Sequence, residues 1–308
     1  MVGPQGHWRE ARAAPHSPIN VHRNRDLAFR LHSFNRDSFN LALLKYRDFQ
    51  GFLITGQHSG THWIKWMLSH ALARRYETPP PRYFDNASSN DLIGHPKHPR
   101  LHPHAPRLAS SHSIAPHALS WAWLRGLAAP PPYVVVVRDI RDVLVSNYEK
   151  WRHAYGVSFT DYVAGDPRGR AYVCDVWWYL RFKNRWGDVA SRFPDQTLVL
   201  RYEDFQADRI GALRQIARHF GLPLTSADLA FGAAAGSKAR MARHRDPDVD
   251  QQALRPTGAG DAALGEAEHA ILRDILGRHL RHDFGYDYLP EARGLQVAPL
   301  QARRSQAA

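Results

Sequence analysis

Cysteine is nearly absent from this chain. Cys174 stands alone, so neither an intrachain disulfide nor a cysteine-based zinc site can form. That scarcity fits a reducing compartment, and a cytoplasmic location is the expectation. No apolar run reaches about 18 residues, so no membrane-spanning helix is expected. Acidic residues are in short supply: 29 Asp and Glu stand against 41 Lys and Arg, a formal net charge of +12 in 308 residues. So basic a chain favours anionic partners (nucleotides, nucleic acid or an acidic membrane surface) without choosing among them. The N-terminal stretch "MVGPQGHWREARAAPHSPINVHRNRD" lacks the apolar segment of a secretory signal. It is Arg-rich and acid-poor, as organelle transit peptides are, but has no amphipathic period. Residues 1–48 are expected to form a partly ordered extension. No internal repeat is visible.

What is present suits a folded α/β domain. Hydrophobic residues make up 44% and aromatics 11%, enough for a sizeable core. "FLIT" (52–55), "PYVVVVR" (132–138) and the start of "TLVLRYEDF" (197–205) read as buried strands, and "RLASSHS" (107–113) as a short one. Four consecutive β-branched residues in the second are apolar on both faces, as a covered parallel strand requires. Helical spacing follows each: "WIKWMLSHALARR", "DIRDVLVSNYEKWR" with Asp139 as cap, a long segment at 170–193, "DRIGALRQIARHFG" and a last helix at 265–280. Residues 79–107, rich in Pro and His, read as a surface loop. Alternating strands and helices imply a single domain with a mostly parallel central sheet flanked by helices. Ligands of such sheets lie at the carboxyl ends of the strands, here after Thr55, Val137 and Leu200.

The loop after Thr55, "GQHSGTHW" (56–63), is of the kind that holds phosphate, yet it has no lysine. The ATP-type loop needs four residues between its glycines and then Gly-Lys-Ser/Thr. Here three residues separate Gly56 from Gly60, and Thr61 follows directly, so an ATP- or GTP-dependent kinase loses its main support. A nest remains: backbone N–H groups from Ser59 to His62, at a helix N-terminus, suit an anion.

"HSGTHW" resembles the "PKSGTTW" 5′-phosphosulfate loop of the PAPS-dependent sulfotransferases. "VVVVRDIRDVLVSNY" (134–148) resembles the family's strand and "RNPRDVAVSYY" helix, "LVLRYEDF" its "YED" strand end, and "LRPTGAGD" (254–261) its "RKGxxGDW" segment. "RLASSHS" resembles the strand that carries "KTH". The five occur in family order, over roughly residues 50 to 290. The resemblance implies a P-loop-NTPase-like fold and a sulfotransferase domain at 49–290, with 291–308 as a disordered tail. It implies a donor, 3′-phosphoadenosine 5′-phosphosulfate (PAPS), leaving as adenosine 3′,5′-bisphosphate (PAP), and no metal.

Carried over position by position, the resemblance assigns His58, Ser59, Gly60, Thr61, His62 and Trp63 to the donor's phosphosulfate and adenine side. Arg138, Ser146 and Arg255 go to its 3′-phosphate, with Thr257 nearby and Tyr202 on the base side. An arginine fork suits a phosphate better than lysine does. Trp63 also lies on the apolar face of its helix, which plain core packing explains equally. Pro256 and Thr257 depart from the family's Lys-Gly. His112 takes the place of the general base, and the catalytic set is His112, His58 and Ser146. His58 occupies a slot where the family has lysine, and Ser110 another. A neutral imidazole donates one hydrogen bond and an imidazolium adds charge, so His58 is expected to serve best at mildly acidic pH.

The resulting expectation is sulfuryl transfer to a hydroxyl or amine acceptor on a small molecule, lipid or glycan. With two cations lost, the alternative is an adenosine-bisphosphate-binding protein with little or no turnover. The histidines of "GHPKHPRLHPHAPR" (94–107) lack carboxylate or cysteine partners and read as a solvated loop. "RMARHR" (240–245) reads as a basic flap. Aromatics follow buried periods rather than interleaving with basic residues, so nucleic acid is not an expected partner.

Overall fold

A computed structural model of the chain describes residues 18–38, 49–84, 88–95, 99–246 and 262–289. Five parallel strands form one sheet in the order β2-β3-β1-β4-β5. They are β1 Gly51–Thr55, β2 Ile93–Gly94, β3 Leu108–Ser111, β4 Tyr133–Val137 and β5 Thr197–Arg201. Side chains alternate between two apolar layers, as strand geometry dictates. Phe52, Ile54, Tyr133, Val135 and Val137 face one core. Leu53, Val134 and Val136 face the other.

The first layer is covered by α4 Ile140–Tyr155, α6 Val176–Arg192 and α11 Glu266–His279. The second is covered by α2 Thr61–Arg75, α8 Arg209–His219 and α9 Ser226–Ala235. Helix α9 packs closely on α2, and a Cβ at Gly232 would lie 2.4 Å from the Met67 carbonyl oxygen. Short helices fill the connections: α3 Ala122–Ala128, α5 Phe159–Ala164, α7 Tyr202–Ala207 and α10 Lys238–Arg243. The fold class is therefore the expected one, a helix-flanked parallel sheet.

Some elements differ from the sequence reading. Within the N-terminal extension, α1 Pro18–Ser38 is helical. Its Asp37 forms a buried ion pair with Arg181 of α6, and Arg25 donates to the Ala164 carbonyl at 2.7 Å. The 79–107 stretch contains β2, which pairs through Ile93 and Gly94 with β3. The helix expected from 170 begins only at Val176, because the Asp175 carboxylate accepts from Trp178 N–H at 3.0 Å and caps it there. The turn expected at the end of "TLVLRYEDF" is a short helix that begins at Tyr202. Among the described residues, no helix is long and apolar enough to cross a membrane.

Candidate functional site

The carboxyl ends of β1, β3, β4 and β5 bring four segments together: the 56–60 loop, His112, the Arg138 corner and Tyr202. The loop is built on two residues of positive φ, His58 at 56° and Gly60 at 78°. Gly60 is doubly required, since a Cβ there would lie 2.5 Å from the Tyr202 ring. The Gly56 N–H donates to the Val136 carbonyl at 2.9 Å and the Ser59 N–H to the Gly56 carbonyl at 3.2 Å. The Ser59 N–H is thus spent inside the turn, and the expected nest shifts to the first turn of α2, where helix geometry turns the backbone N–H groups outward. They lie at the positive end of α2. The Thr61 hydroxyl is tied to that of Thr55 at 2.6 Å, which joins the helix start to the strand end.

His58 is drawn toward α4. Its Nε2 lies 3.0 Å from Asn147 Oδ1, and Ser146 Oγ lies 3.4 Å from its Nδ1. The Asn147 amide nitrogen faces the Cys174 carbonyl at 2.7 Å, so that end must donate and Oδ1 must accept. Nε2 therefore carries the His58 proton, and Nδ1 accepts from the Ser146 hydroxyl. Burial is the main force on the ring and pushes its pKa down to about 4, with the bond to Asn147 opposing. Burial thus works against the charged imidazole expected at mildly acidic pH. The ring is neutral there, and its N–H points at Asn147.

Arg138 is buried at the end of β4. Its Nη1 donates to the His58 carbonyl at 2.8 Å and its Nη2 pairs with Asp142 at 3.3 Å. The guanidinium lies over the Tyr202 ring, 4.7 Å from the centroid. Asp139 caps α4 as expected and takes Arg141 as its ion partner at 2.7 Å. Arg138 Nε is buried with no hydrogen-bond partner among the described residues. An orphaned donor of this kind is uncommon in folded proteins, and an anion oxygen would satisfy it. Trp63 donates to the Gly236 carbonyl at 2.8 Å and packs edge-on against Tyr202. It is a wall of the site and part of the core cluster at once.

His112 stands just past β3. Its Nδ1 lies 2.9 Å from the Thr55 carbonyl oxygen and 3.2 Å from the Thr55 hydroxyl. A carbonyl only accepts, so the proton resides on Nδ1 and Nε2 keeps a bare lone pair. The ring keeps an exposed face although protein packs around it. Burial lowers its pKa, the bond to Thr55 opposes this, and the charges of Lys65 and Lys150 lower it further. Neutral imidazole with a free lone pair is the form a general base requires. A proton added to His112 would lower the His58 pKa further, so the two rings lie within electrostatic reach of each other.

The structure brings together His58, Ser59, Gly60, Thr61, His62, Trp63, Arg138, Ser146, Tyr202 and His112. Arg255 and Thr257 lie outside the described residues. Two residues were passed over in the sequence. Asn147, adjacent to Ser146, orients His58 from a fully buried position. Thr55, the last strand residue, anchors both Thr61 and His112. The signal for Asn147 was a polar residue at a core-facing turn of α4. Thr55 carried none beyond its place at a strand end.

A family model for the sulfotransferase domain matches residues 48–238. A flavonol sulfotransferase-like protein of Flaveria bidentis is 27% identical over 194 residues, covering 57% of this chain and 58% of its own length. Cytosolic sulfotransferase 3 of Arabidopsis thaliana is 29% identical over 182 residues, 54% of this chain and 51% of its own. The match thus spans little more than half of each plant protein. Among solved structures, retinol dehydratase in a complex with retinol and PAP superposes with a TM-score of 0.53 at 18% identity. That superposition covers 82% of this chain and 87% of the other, and it speaks for the fold alone.

Proposed function

Because the chain belongs to the sulfotransferase domain family, we propose that it is a PAPS-dependent enzyme whose sulfotransferase domain spans 49–290 and whose acceptor is a hydroxyl or amine. The donor supplies an activated sulfuryl group and the bisphosphate that leaves. This chain's residues fit it: the N–H groups of Thr61 to Trp63 suit the 5′ side, and Arg138, with its orphaned Nε, and Ser146 suit the 3′-phosphate. Trp63 and Tyr202 offer aromatic faces for a base. No metal enters this reading.

The observation that carries the reading is His112. The Thr55 carbonyl holds its Nδ1 proton, so Nε2 is left unprotonated, in the form that takes the acceptor's proton. Negative charge developing on the departing phosphate oxygen meets the helix-start donors rather than a loop lysine. His58 then acts as a brace: its carbonyl holds Arg138 and its ring holds Ser146. Small-molecule, lipid and glycan acceptors all suit this chemistry.

A second reading, a nucleotide-binding protein with little turnover, has one observation behind it. The slots of the two lysines hold a neutral His58 and Ser110. Labelled donor offered with a panel of phenol, aliphatic alcohol, sterol, glycan and amine acceptors separates the two. Transfer to any acceptor, abolished by His112→Ala, supports the enzyme. Tight bisphosphate binding with no transfer to any acceptor overturns it.

A further inference from the structure

Residues 283–289 follow α11 and lie well past residue 238, where the family match ends. They fold back against the rear of the Arg138 corner. Tyr288 Oη accepts from the Ile140 N–H at 3.0 Å. The Tyr286 hydroxyl donates to Glu203 Oε2 and also lies 3.4 Å from the Val137 carbonyl. Glu203 in turn accepts from the Asp139 N–H at 3.2 Å. The peptide groups on both sides of Arg138 are therefore held, directly or through Glu203, by Tyr286, and the next one, between Asp139 and Ile140, by Tyr288.

The segment is seated on a buried lysine. Lys183 of α6 is fully enclosed, and its Nζ donates to Tyr288 Oη at 2.9 Å and to the Asp283 carbonyl at 3.3 Å. It lies over the rings of Tyr286 at 4.1 Å, Tyr288 at 5.0 Å and Phe284 at 5.7 Å. Arg201 of β5 stacks on the other side of Tyr286 at 4.2 Å, and Arg141 of α4 lies 5.5 Å from the Tyr288 ring. Asp139, Glu203 and Asp283 supply the opposing negative charge. A buried ammonium is costly and persists where several groups answer it at once. Ile140 N–H is a first-turn donor with no acceptor in its own helix, so Tyr288 occupies the place a capping side chain would take.

We propose that the Asp283–Tyr288 segment, seated on Lys183, positions Arg138 for anion recognition, with Tyr286 and Tyr288 together as its positioning residues. This rests on the assignment of Arg138 to the donor's 3′-phosphate. Because the segment acts on the peptide groups around Arg138 and not on the 56–60 loop, its loss should weaken recognition of the 3′-phosphate and spare the 5′ side.

The test uses the full chain and calorimetric titration with adenosine 3′,5′-bisphosphate and with 5′-AMP. Tyr288→Phe keeps the ring and its stacking and removes the acceptor for Ile140. The bisphosphate affinity should fall about tenfold, the scale of one lost hydrogen bond, while 5′-AMP affinity changes less than about twofold. Equal losses for both nucleotides, or no loss beside a lowered melting temperature, overturn the proposal and leave the segment merely structural. Should Tyr288→Phe not fold, Tyr286→Phe gives the same comparison through Glu203, with the same two outcomes. Wild-type protein that binds both nucleotides equally removes the 3′-phosphate assignment itself and this proposal with it. That arm is read before any variant.

Discussion

His58 and Asn147 share a 3.0 Å hydrogen bond whose direction is set from the far side of the amide, where the Cys174 carbonyl claims the Asn147 nitrogen. The consequence is a histidine that is neutral in the fold. Its folded pKa of about 4 lies below the ordinary 6.5, so the unfolded chain binds more protons between those values. Stability from this site is fully present above pH 6.5 and is lost as pH falls through about 4. Comparing wild type with His58→Phe by urea denaturation from pH 4 to 7 should show wild type losing more stability in acid. Parallel curves would remove the buried neutral ring from the account.

Turnover tests the other histidine. His112→Ala should leave bisphosphate affinity nearly unchanged and lower turnover by about 10²–10⁴, the usual scale for a general base. Because burial and neighbouring charges lower its pKa, the acidic limb of the wild-type rate profile should fall below the ordinary histidine value. A limb at or above pH 6.5, or a variant at near wild-type rate with an aliphatic alcohol, would place the base elsewhere.

Arg138→Ala should cost charge-assisted bonds of roughly 1.5–3 kcal/mol each toward a 3′-phosphate. It also releases Asp142, whose carboxylate loses its 3.3 Å partner. The preference for adenosine 3′,5′-bisphosphate over 5′-AMP should shrink. Arg138→Lys should restore little of it, since a point charge lacks the fork that reaches His58, Asp142 and an anion together. Full rescue by lysine would argue for bulk charge alone.

Lys183 makes a prediction of opposite slope to ordinary surface lysines. Burial lowers its pKa from 10.5 to about 7, so the folded chain binds fewer protons than the unfolded one between those values. The cost of enclosing the charge is fully felt below pH 7 and relieved as pH rises toward 10.5. Lys183→Met should therefore gain melting temperature relative to wild type at pH 6 and lose part of that advantage by pH 9. An unchanged difference across this range would mean that the amine is already neutral at pH 6 or is fully compensated.

The sheet was legible in the sequence because parallel strands buried on both faces leave unbroken apolar runs, as in Tyr133–Val137. Arg138, Ser146 and His112 were named through the family resemblance, and the ends of β4 and β3 account for the placement of the first and the last. Three things stayed hidden. The protonation of His58 depends on Asn147 and, behind it, Tyr162 and Cys174, far along the chain. Periodicity does not report such contacts. The bracing by Tyr286 and Tyr288 was equally invisible, because a segment after the last helix has no pattern until it meets Lys183. The N-terminal helix α1 lacked a clear apolar stripe: Phe29 alone among its described residues is buried as part of the core, and polar contacts such as Arg181 with Asp37 add to its hold.

Thr55 reaches Thr61 through its side chain and His112 through its carbonyl. The span between anion cradle and base is thus written into a single residue of the central strand, not into the packing of two lobes. The segments that wall the acceptor side can then be lengthened, shortened or exchanged without changing the separation that transfer depends on. Diversification of acceptors and preservation of the reaction become independent problems for this fold.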